Sequence, residues 1–203
     1  SDLAGLHILV DCANGASYTT AARLFDQFPK LRTDVINADP DGVNINDKCG
    51  STHLDSLAAM VKAGGYDIGI AFDGDADRCL AVDELGNLID GDQVMAACGM
   101  DLKNKGRLPG SAVVATVMSN LGLHVFAREN GLNIECTDVG DRNVLERMVE
   151  KGYVLGGEQS GHMIFLDYAT TGDGQLTALQ ILALLKESGK KASEVFGACC
   201  RYP

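Results

Sequence analysis

The 203-residue sequence predicts an α/β fold, two tandem three-layer α/β domains with mixed, mainly parallel sheets. Three observations predict it. Short apolar runs alternate with amphipathic stretches, the alternation passes through two strand-helix-strand-helix cycles, and a polar break from Lys103 to Pro109 separates those cycles. Each half is then about a hundred residues, an ordinary domain size. The division falls as 1–103 and 104–203.

The elements follow in order. Leu6 to Asp11 is too short for a helix and runs into the turn Asn14-Gly15, so it reads as a buried strand. Ser17 to Phe28 places Ala21, Leu24, Phe25 and Phe28 at helical spacing before Pro29 stops it. A strand is expected over Asp34 to Ala38, then a polar loop from Asp39 to Gly50. Thr52 and Asp55 have the spacing of a capping box, opening a helix that buries Leu54, Leu57, Ala58 and Val61 and ends at Gly64-Gly65. The strand Asp67 to Phe72 leads into an acidic cluster. Cys79 to Ile89 resembles a hairpin, and a helix is expected from about Asp92 to Leu102.

The second cycle opens with the β-branched run Ser111 to Val117. A helix over Asn120 to Asn130, a strand over Asn133 to Thr137 and a helix over Asp141 to Lys151 follow. The last long helix, Gly174 to Ser188, is rich in Leu, Ala and Ile and reads as a core helix. Sequence similarity between the halves is too faint to establish a repeat.

Composition excludes several classes. With 46% hydrophobic residues and five or more buried strands expected, the chain is not intrinsically disordered. Its 28 acidic and 17 basic residues leave a net charge of −11, which repels nucleic acid and anionic membranes. The densest basic stretch, Lys103 to Arg107, is broken by Asn104 and Gly106. Seven cysteines without a C-x-x-C pair fit reduced thiols and a cytoplasmic setting. Ser1 to Gly5 lacks the basic start of a signal peptide, and no apolar stretch approaches the roughly 20 residues of a membrane span. The missing initiator Met and the stop at Tyr202-Pro203 suggest a piece of a longer polypeptide.

The most informative stretch is Phe72-Asp-Gly-Asp-Ala-Asp-Arg78. It sets Asp73, Asp75 and Asp77 at alternate positions after a buried strand, and Gly74 and Ala76 leave room for the loop to curl them around one ion. Hard oxygen ligands select Mg²⁺, Mn²⁺ or Ca²⁺ over zinc. The carboxyl end of a strand is also where parallel sheets bind ligands. An EF-hand matches at Asp73, Asp75, Asp77 and Glu84, but its invariant glycine position holds Arg78 and strands flank it. A solvated acidic turn leaves the aspartate density unexplained. Arg78 would grip an anionic phosphate better than it would serve a metal.

The second stretch is Gly156-Gly-Glu-Gln-Ser-Gly-His162. Its glycines admit a ligand close to the backbone, and Glu158 and Ser160 can face it together as acceptor and donor, which suits a sugar. A Gly-rich turn with an exposed Glu is an equal reading on these residues alone, and His162 alone reads as an ordinary packed or surface histidine. Arg142, at a helix start, could reach a phosphate or make a surface ion pair. Asp173 reads as a helix cap. No P-loop, dinucleotide fingerprint or nucleophile elbow is present.

In this order, Asp73-Gly-Asp-Ala-Asp-Arg78 and Gly157-Glu-Gln-Ser-Gly-His162 resemble the metal and sugar-recognition loops of the α-D-phosphohexomutases. Gly42-Val-Asn-Ile-Asn46, Cys49-Gly-Ser-Thr52, Thr116-Val-Met-Ser-Asn-Leu-Gly122, Val139-Gly-Asp-Arg142 and Thr171-Gly-Asp-Gly174 are similar to the bacterial branch acting on glucosamine phosphates. Essentially the whole chain is covered. It resembles only the second and third of that family's four domains. Asn143 departs from the pattern, standing where relatives commonly have Tyr.

The resemblance implies interconversion of glucosamine 6-phosphate and glucosamine 1-phosphate, through a phosphoserine and a bisphosphate, for UDP-N-acetylglucosamine and envelope synthesis. It implies Mg²⁺ on Asp73, Asp75 and Asp77, with Arg78 assisting the phosphoryl group. Glu158 and Ser160 would bind sugar hydroxyls, Arg142 would bind substrate, and His162 would contact substrate or move a proton. The serine domain and the phosphate-binding domain would lie outside this chain, so Ser51, Ser119 and Ser160 are not nucleophiles and the piece alone is expected to be inactive. Phosphomannomutase or phosphoglucomutase activity, a noncatalytic Ca²⁺ module and a two-domain Mg²⁺ phosphatase remain the alternatives.

Overall fold

The structure, a computed structural model, describes residues 2–203. Its first sheet contains β1 (His7–Asp11), β2 (Arg32–Ile36), β3 (Ile68–Phe72), β4 (Cys79–Asp83) and β5 (Leu88–Ile89), in the order β2-β1-β3-β4-β5. The second contains β6 (Ala112–Thr116), β7 (Asn133–Thr137), β8 (Leu155–Gly157) and β9 (Met163–Phe165), in the order β7-β6-β8-β9. Four pairings are parallel, β1 with β2 and β3 and β6 with β7 and β8, and three are antiparallel. The sheets are therefore mixed and mainly parallel.

The two orders share one plan. In each sheet a first strand lies between the second and third, and the third turns back antiparallel into the fourth. The repeat is one of topology. The Asp73–Arg78 loop joins β3 to β4, and the Glu158–His162 loop joins β8 to β9, so the two loops hold equivalent positions.

Strand periodicity sorts side chains between layers. Along β3, Ile68, Ile70 and Phe72 enter the main core, while Ala71 joins Leu57 and Val61 of α2 (Asp55–Gly64) on the other face. Gly69 shares that outer face because a Cβ would lie 2.6 Å from Val61 and Val82. In the second sheet Val114 and Ile164 pack outward against Val144 and Met148 of α5 (Asp141–Lys151), and Gly156 plays the part of Gly69 beside Met148. Each sheet thus has helices on both faces.

The inner layer is shared between the sheets. Helix α3 (Gly91–Asn104) follows the first sheet in sequence but packs on β6 and β8 of the second. Helix α6 (Gly174–Ser188) follows the second sheet, yet packs on β3 and β4 as well as β9. With α1 (Ser17–Phe25), α4 (Leu121–Asn130) and α7 (Ala192–Phe196), they enclose one continuous core. Each fully buried Leu, Ile or Phe there contributes about 1.5–3 kcal/mol relative to exposure.

Local expectations are corrected at four points. Helix α1 ends at Phe25, so Phe28 lies in the turn that prepares Pro29, whose ring disfavours helical backbone before it. Strand β2 runs from Arg32 and stops at Ile36 because Asn37 takes a left-handed φ of 50°. Thr52 does not cap α2; it sits in the 3₁₀ turn Gly50–Thr52, its hydroxyl 3.1 Å from His53 Nδ1, and Leu54 holds the N-cap position. A true capping box stands instead at Asp90 and Gln93, opening α3 one residue earlier than expected. Among the described residues no helix is long and apolar enough to cross a membrane.

Candidate functional site

Five consecutive buried residues make β3 a central strand, and its end delivers Asp73 to the protein interior. Asp73 Oδ1 accepts the Arg78 backbone N–H at 3.2 Å, and Ala76 N–H donates to the Asp73 carbonyl at 3.1 Å. The loop curls at Ala76, which takes the left-handed φ of 61°; the glycine before it has a different duty. Gly74 is pressed against the Gly42–Gly50 loop, where a Cβ would lie 2.7 Å from Asn46 Nδ2 and from Ile45. That loop is itself moored by Asp11, whose buried carboxylate accepts the Gly50 N–H at 2.8 Å.

The curl brings one carboxylate oxygen each from Asp73, Asp75 and Asp77 within 4.8 Å of one another. Asp73 is buried, Asp77 half-buried and Asp75 exposed. Burial, then the nearby charges of Asp77 and Asp75 acting against the Arg78 N–H, push the Asp73 carboxyl up to about 6. Arg78 compensates weakly, with Nε 3.9 Å from Asp73 Oδ2 and its side chain largely exposed. An all-oxygen set in which one member is driven toward protonation fits a hard dication, which would remove both the repulsion and the proton.

The Glu158–His162 loop lies directly beside it. Arg78 and His162 form an isolated antiparallel bridge, and Cys79 N–H donates to the Gly161 carbonyl at 3.1 Å. Gly161 has φ of 96°, and a Cβ there would stand 2.5 Å from the Cys79 carbonyl oxygen. His162 is buried, with Nε2 3.6 Å from Asp77 Oδ2. Glu158 Oε1 accepts the Gly140 N–H at 3.2 Å, while Ser160 is exposed at the loop tip. Glu158 and Ser160 line one open cavity of about 390 Å³ together with Asp90, Thr116, Gln159 and Arg201.

Arg142 is not brought into this group. Its side chain is 85% exposed and its Nε donates to Glu146 Oε1 at 2.7 Å, one turn along α5. Asn143 ties the same turn down by donating to the Val139 carbonyl at 2.9 Å. Asp173 does cap α6, accepting the Leu176 N–H at 2.9 Å. Its neighbours do more: Gly174 N–H donates to the Ala76 carbonyl at 2.9 Å, and Gly172 lies so close to the His162 ring that a Cβ would overlap it.

Sequence reasoning missed Gln159, Asp90 and Arg201. Gln159 Nε2 donates to Asp90 Oδ2 at 3.3 Å and the Gln159 carbonyl accepts the Gly91 N–H at 3.0 Å, which fastens the loop to the start of α3. The capping spacing of Asp90 and Gln93 was the available signal; Arg201 carries none.

Residues 1–86 match the family model described as phosphoglucomutase/phosphomannomutase, alpha/beta/alpha domain II, and residues 90–202 match alpha/beta/alpha domain III. The chain belongs to the phosphoglucomutase/phosphomannomutase family. It is 60% identical to a phosphoglucosamine mutase of Ruminiclostridium cellulolyticum over 97% of this chain and 43% of that protein. A phosphoglucosamine mutase of Clostridium novyi is 59% identical over 100% of this chain and 45% of its own length. The chain therefore spans less than half of the curated relatives it matches. A family protein from Burkholderia thailandensis superposes with a TM-score of 0.85 at 27% identity, covering 98% of this chain and 43% of that one. The N-acetylphosphoglucosamine mutase of Aspergillus fumigatus, solved with GlcNAc-6P and magnesium, shares the fold with a TM-score of 0.79 at 21% identity, over 98% of this chain and 47% of its own.

Proposed function

We propose that this chain is the middle of a phosphoglucosamine mutase, supplying the cation loop and the sugar loop of a site completed by parts of the protein outside it. The observation that carries this is the seam itself. Three carboxylates able to hold a hard dication lie beside a Gly-rich loop whose Glu158 and Ser160 face an open cavity. The 1–103 unit would carry the first loop and the 104–203 unit the second.

The reaction assigned is the interconversion of glucosamine 6-phosphate and glucosamine 1-phosphate. A phosphoserine outside this chain gives its phosphoryl group to the free sugar oxygen, forming a bisphosphate. The sugar turns over, and the other phosphate returns to the serine. Mg²⁺ held by Asp73, Asp75 and Asp77 would supply charge neutralisation at the transferring phosphoryl group.

The remaining work falls to side chains of this chain. Arg78, exposed beside Asp73, is placed to grip the phosphoryl oxygens with a planar fork of donors. Glu158 accepts from sugar hydroxyls and Ser160 donates or accepts, a pair indifferent to which end of the bisphosphate is forward. Arg142 can join by leaving Glu146, since an exposed ion pair of that kind is worth about 0–1 kcal/mol. His162, buried beside Asp77, is assigned to contact the substrate or move a proton. The cytoplasm is the setting this reading assigns; the seven free cysteines support it.

The test is a coupled assay of the complete protein on glucosamine, glucose and mannose phosphates, with the 203-residue chain in parallel. The complete protein should turn over glucosamine 6-phosphate best, and the chain alone should show no turnover. A preference for mannose or glucose phosphates reassigns the substrate. Turnover, or phosphate release, by the chain alone contradicts the reading.

A further inference from the structure

We propose that Asp92 is a positioning residue for the sugar cavity: from the first turn of α3 it fixes the Thr116–Asn120 segment of the second sheet, which forms part of the cavity wall. The inference rests on the sugar reading given above. Thr116 and Met118 line the cavity of about 390 Å³ together with Glu158 and Ser160. They stand at the end of β6, which lies between β7 and β8. The segment turns tightly there, since Ser119 N–H donates to the Thr116 carbonyl at 3.1 Å and Met118 N–H to the Thr116 hydroxyl at 3.3 Å.

Asp92 holds the far end of that turn. It is 2% exposed, and its Oδ2 accepts the Asn120 N–H at 2.6 Å. Asn120 in turn caps α4, its Oδ1 accepting the Gly122 N–H at 2.8 Å. The same amide exchanges two hydrogen bonds with Tyr202, accepting its N–H at 2.9 Å and donating to its carbonyl at 2.8 Å. Tyr202 follows Arg201, another residue of the cavity wall. The neighbours of Asp92 in α3 hold what remains. Asp90 accepts from Gln159 Nε2, and a Cβ on Gly91 would overlap the Glu158 carbonyl oxygen. Gln93 Nε2 donates to the Phe196 and Cys199 carbonyls, both at 3.2 Å. Successive residues of one helical turn thus set three segments of the wall, and Asp92, which does not line the cavity, acts only through its segment.

Stability alone does not account for a carboxylate in this place. Asp92 Oδ1 and Ser119 Oγ are buried without a hydrogen-bond partner among the described residues, a cost that an apolar side chain would avoid. Burial holds the Asp92 carboxyl above the ordinary carboxylate range, against the pull of the Asn120 N–H and the nearby Ser119 hydroxyl. What the position gains is the acceptor at Oδ2, and with it a fixed wall. Binding groups must be held close to their productive geometry, because a displacement of about 1 Å can cost about 100-fold in rate.

The experiment is steady-state kinetics of the complete protein and its variants on its best hexose phosphate, with the Mg²⁺ concentration for half-activation as the second readout. Asp92→Ala should raise KM about tenfold and lower kcat less than about threefold, with half-activation by Mg²⁺ unchanged. Asp92→Asn keeps an oxygen for the Asn120 N–H where the neutral carboxyl is already favoured, and should recover most of the KM. Parent-like KM in Asp92→Ala overturns the proposal, as does an Asp92→Asn no better than Asp92→Ala. Losses of equal size in KM, kcat and Mg²⁺ activation are those of a general loss of structure and overturn it too. If Asp92→Ala does not fold, Asp92→Glu, whose extra methylene displaces the acceptor, decides against Asp92→Asn: a higher KM in Asp92→Glu supports the proposal, and equal values overturn it. Ser160→Ala separates the two levels. If the complete protein turns over no hexose phosphate, or Ser160→Ala leaves KM unchanged, the sugar reading fails and this proposal with it. A raised KM in Ser160→Ala with a parent-like KM in Asp92→Ala overturns only the role of Asp92.

Discussion

Arg78 and His162 pair in an antiparallel bridge, each standing one residue before the strand that turns back in its own sheet. Two loops in equivalent positions of a repeated topology thus meet edge to edge. The meeting is made possible by glycines. A Cβ at Gly161 or Gly174 would strike the backbone of the Ala76–Cys79 segment across the seam, and one at Gly172 would strike the His162 ring. The geometry of the Asp73–Arg78 loop is consequently a property of both sheets together.

Gly161 offers a direct check of that seam. Its φ of 96° and the Cys79 carbonyl 2.5 Å from a would-be Cβ make Gly161→Ala doubly unfavourable, costing about 2 kcal/mol or more. Gly189 also has positive φ, 64°, but faces open space, so Gly189→Ala should cost only about 1 kcal/mol. Denaturant melts of both variants test this. Equal losses would show that the seam is not tightly packed at Gly161.

Asp73 predicts an unusual pH dependence. Its folded carboxyl is raised to about 6 from an ordinary value of 3.8, so the folded state binds the proton more readily than the unfolded chain. Its contribution is fully present below about pH 4 and is lost as pH rises through 6. Asp73→Asn keeps an acceptor for the Arg78 N–H and removes the charge. In chelator it should melt above the parent at neutral pH, with the gap closing as pH falls toward 4. A variant that melts below the parent at neutral pH contradicts the assignment.

Glu84 ties the first sheet's hairpin to the last helix. Its carboxylate accepts the Ser193 N–H at 3.0 Å and the Ser193 hydroxyl at 2.5 Å, at the N-terminus of α7. Glu84→Ala removes a capping acceptor and should cost about 0.5–2 kcal/mol. Melting curves read the loss, and Glu84→Gln should recover part of it. An unchanged melting temperature in Glu84→Ala would show that the contact contributes nothing.

Much of this was legible because it is local. The β3 run, the acidic loop after it and the span of α6 follow from periodicity and from residue types adjacent in sequence. The seam was not legible, because it joins segments remote along the chain. Gln159 anchors its loop through Asp90, and Gly172 seats His162, yet nothing beside either residue in sequence announces a partner. Thr52 shows the reverse failure: its spacing imitated a capping box, while tertiary packing of the Gly50 turn against Ala13 and Phe72 decided the backbone. Arg142 illustrates a third limit, since spacing placed it at a helix start but could not show that Glu146 holds it.

The central claim is that Asp73, Asp75 and Asp77 enclose a hard dication. Anomalous diffraction from crystals of the chain soaked in Mn²⁺ locates such an ion directly. The account predicts one peak between the three carboxylates, absent in Asp75→Asn crystals. No peak there, or a peak that persists unchanged in Asp75→Asn, contradicts it.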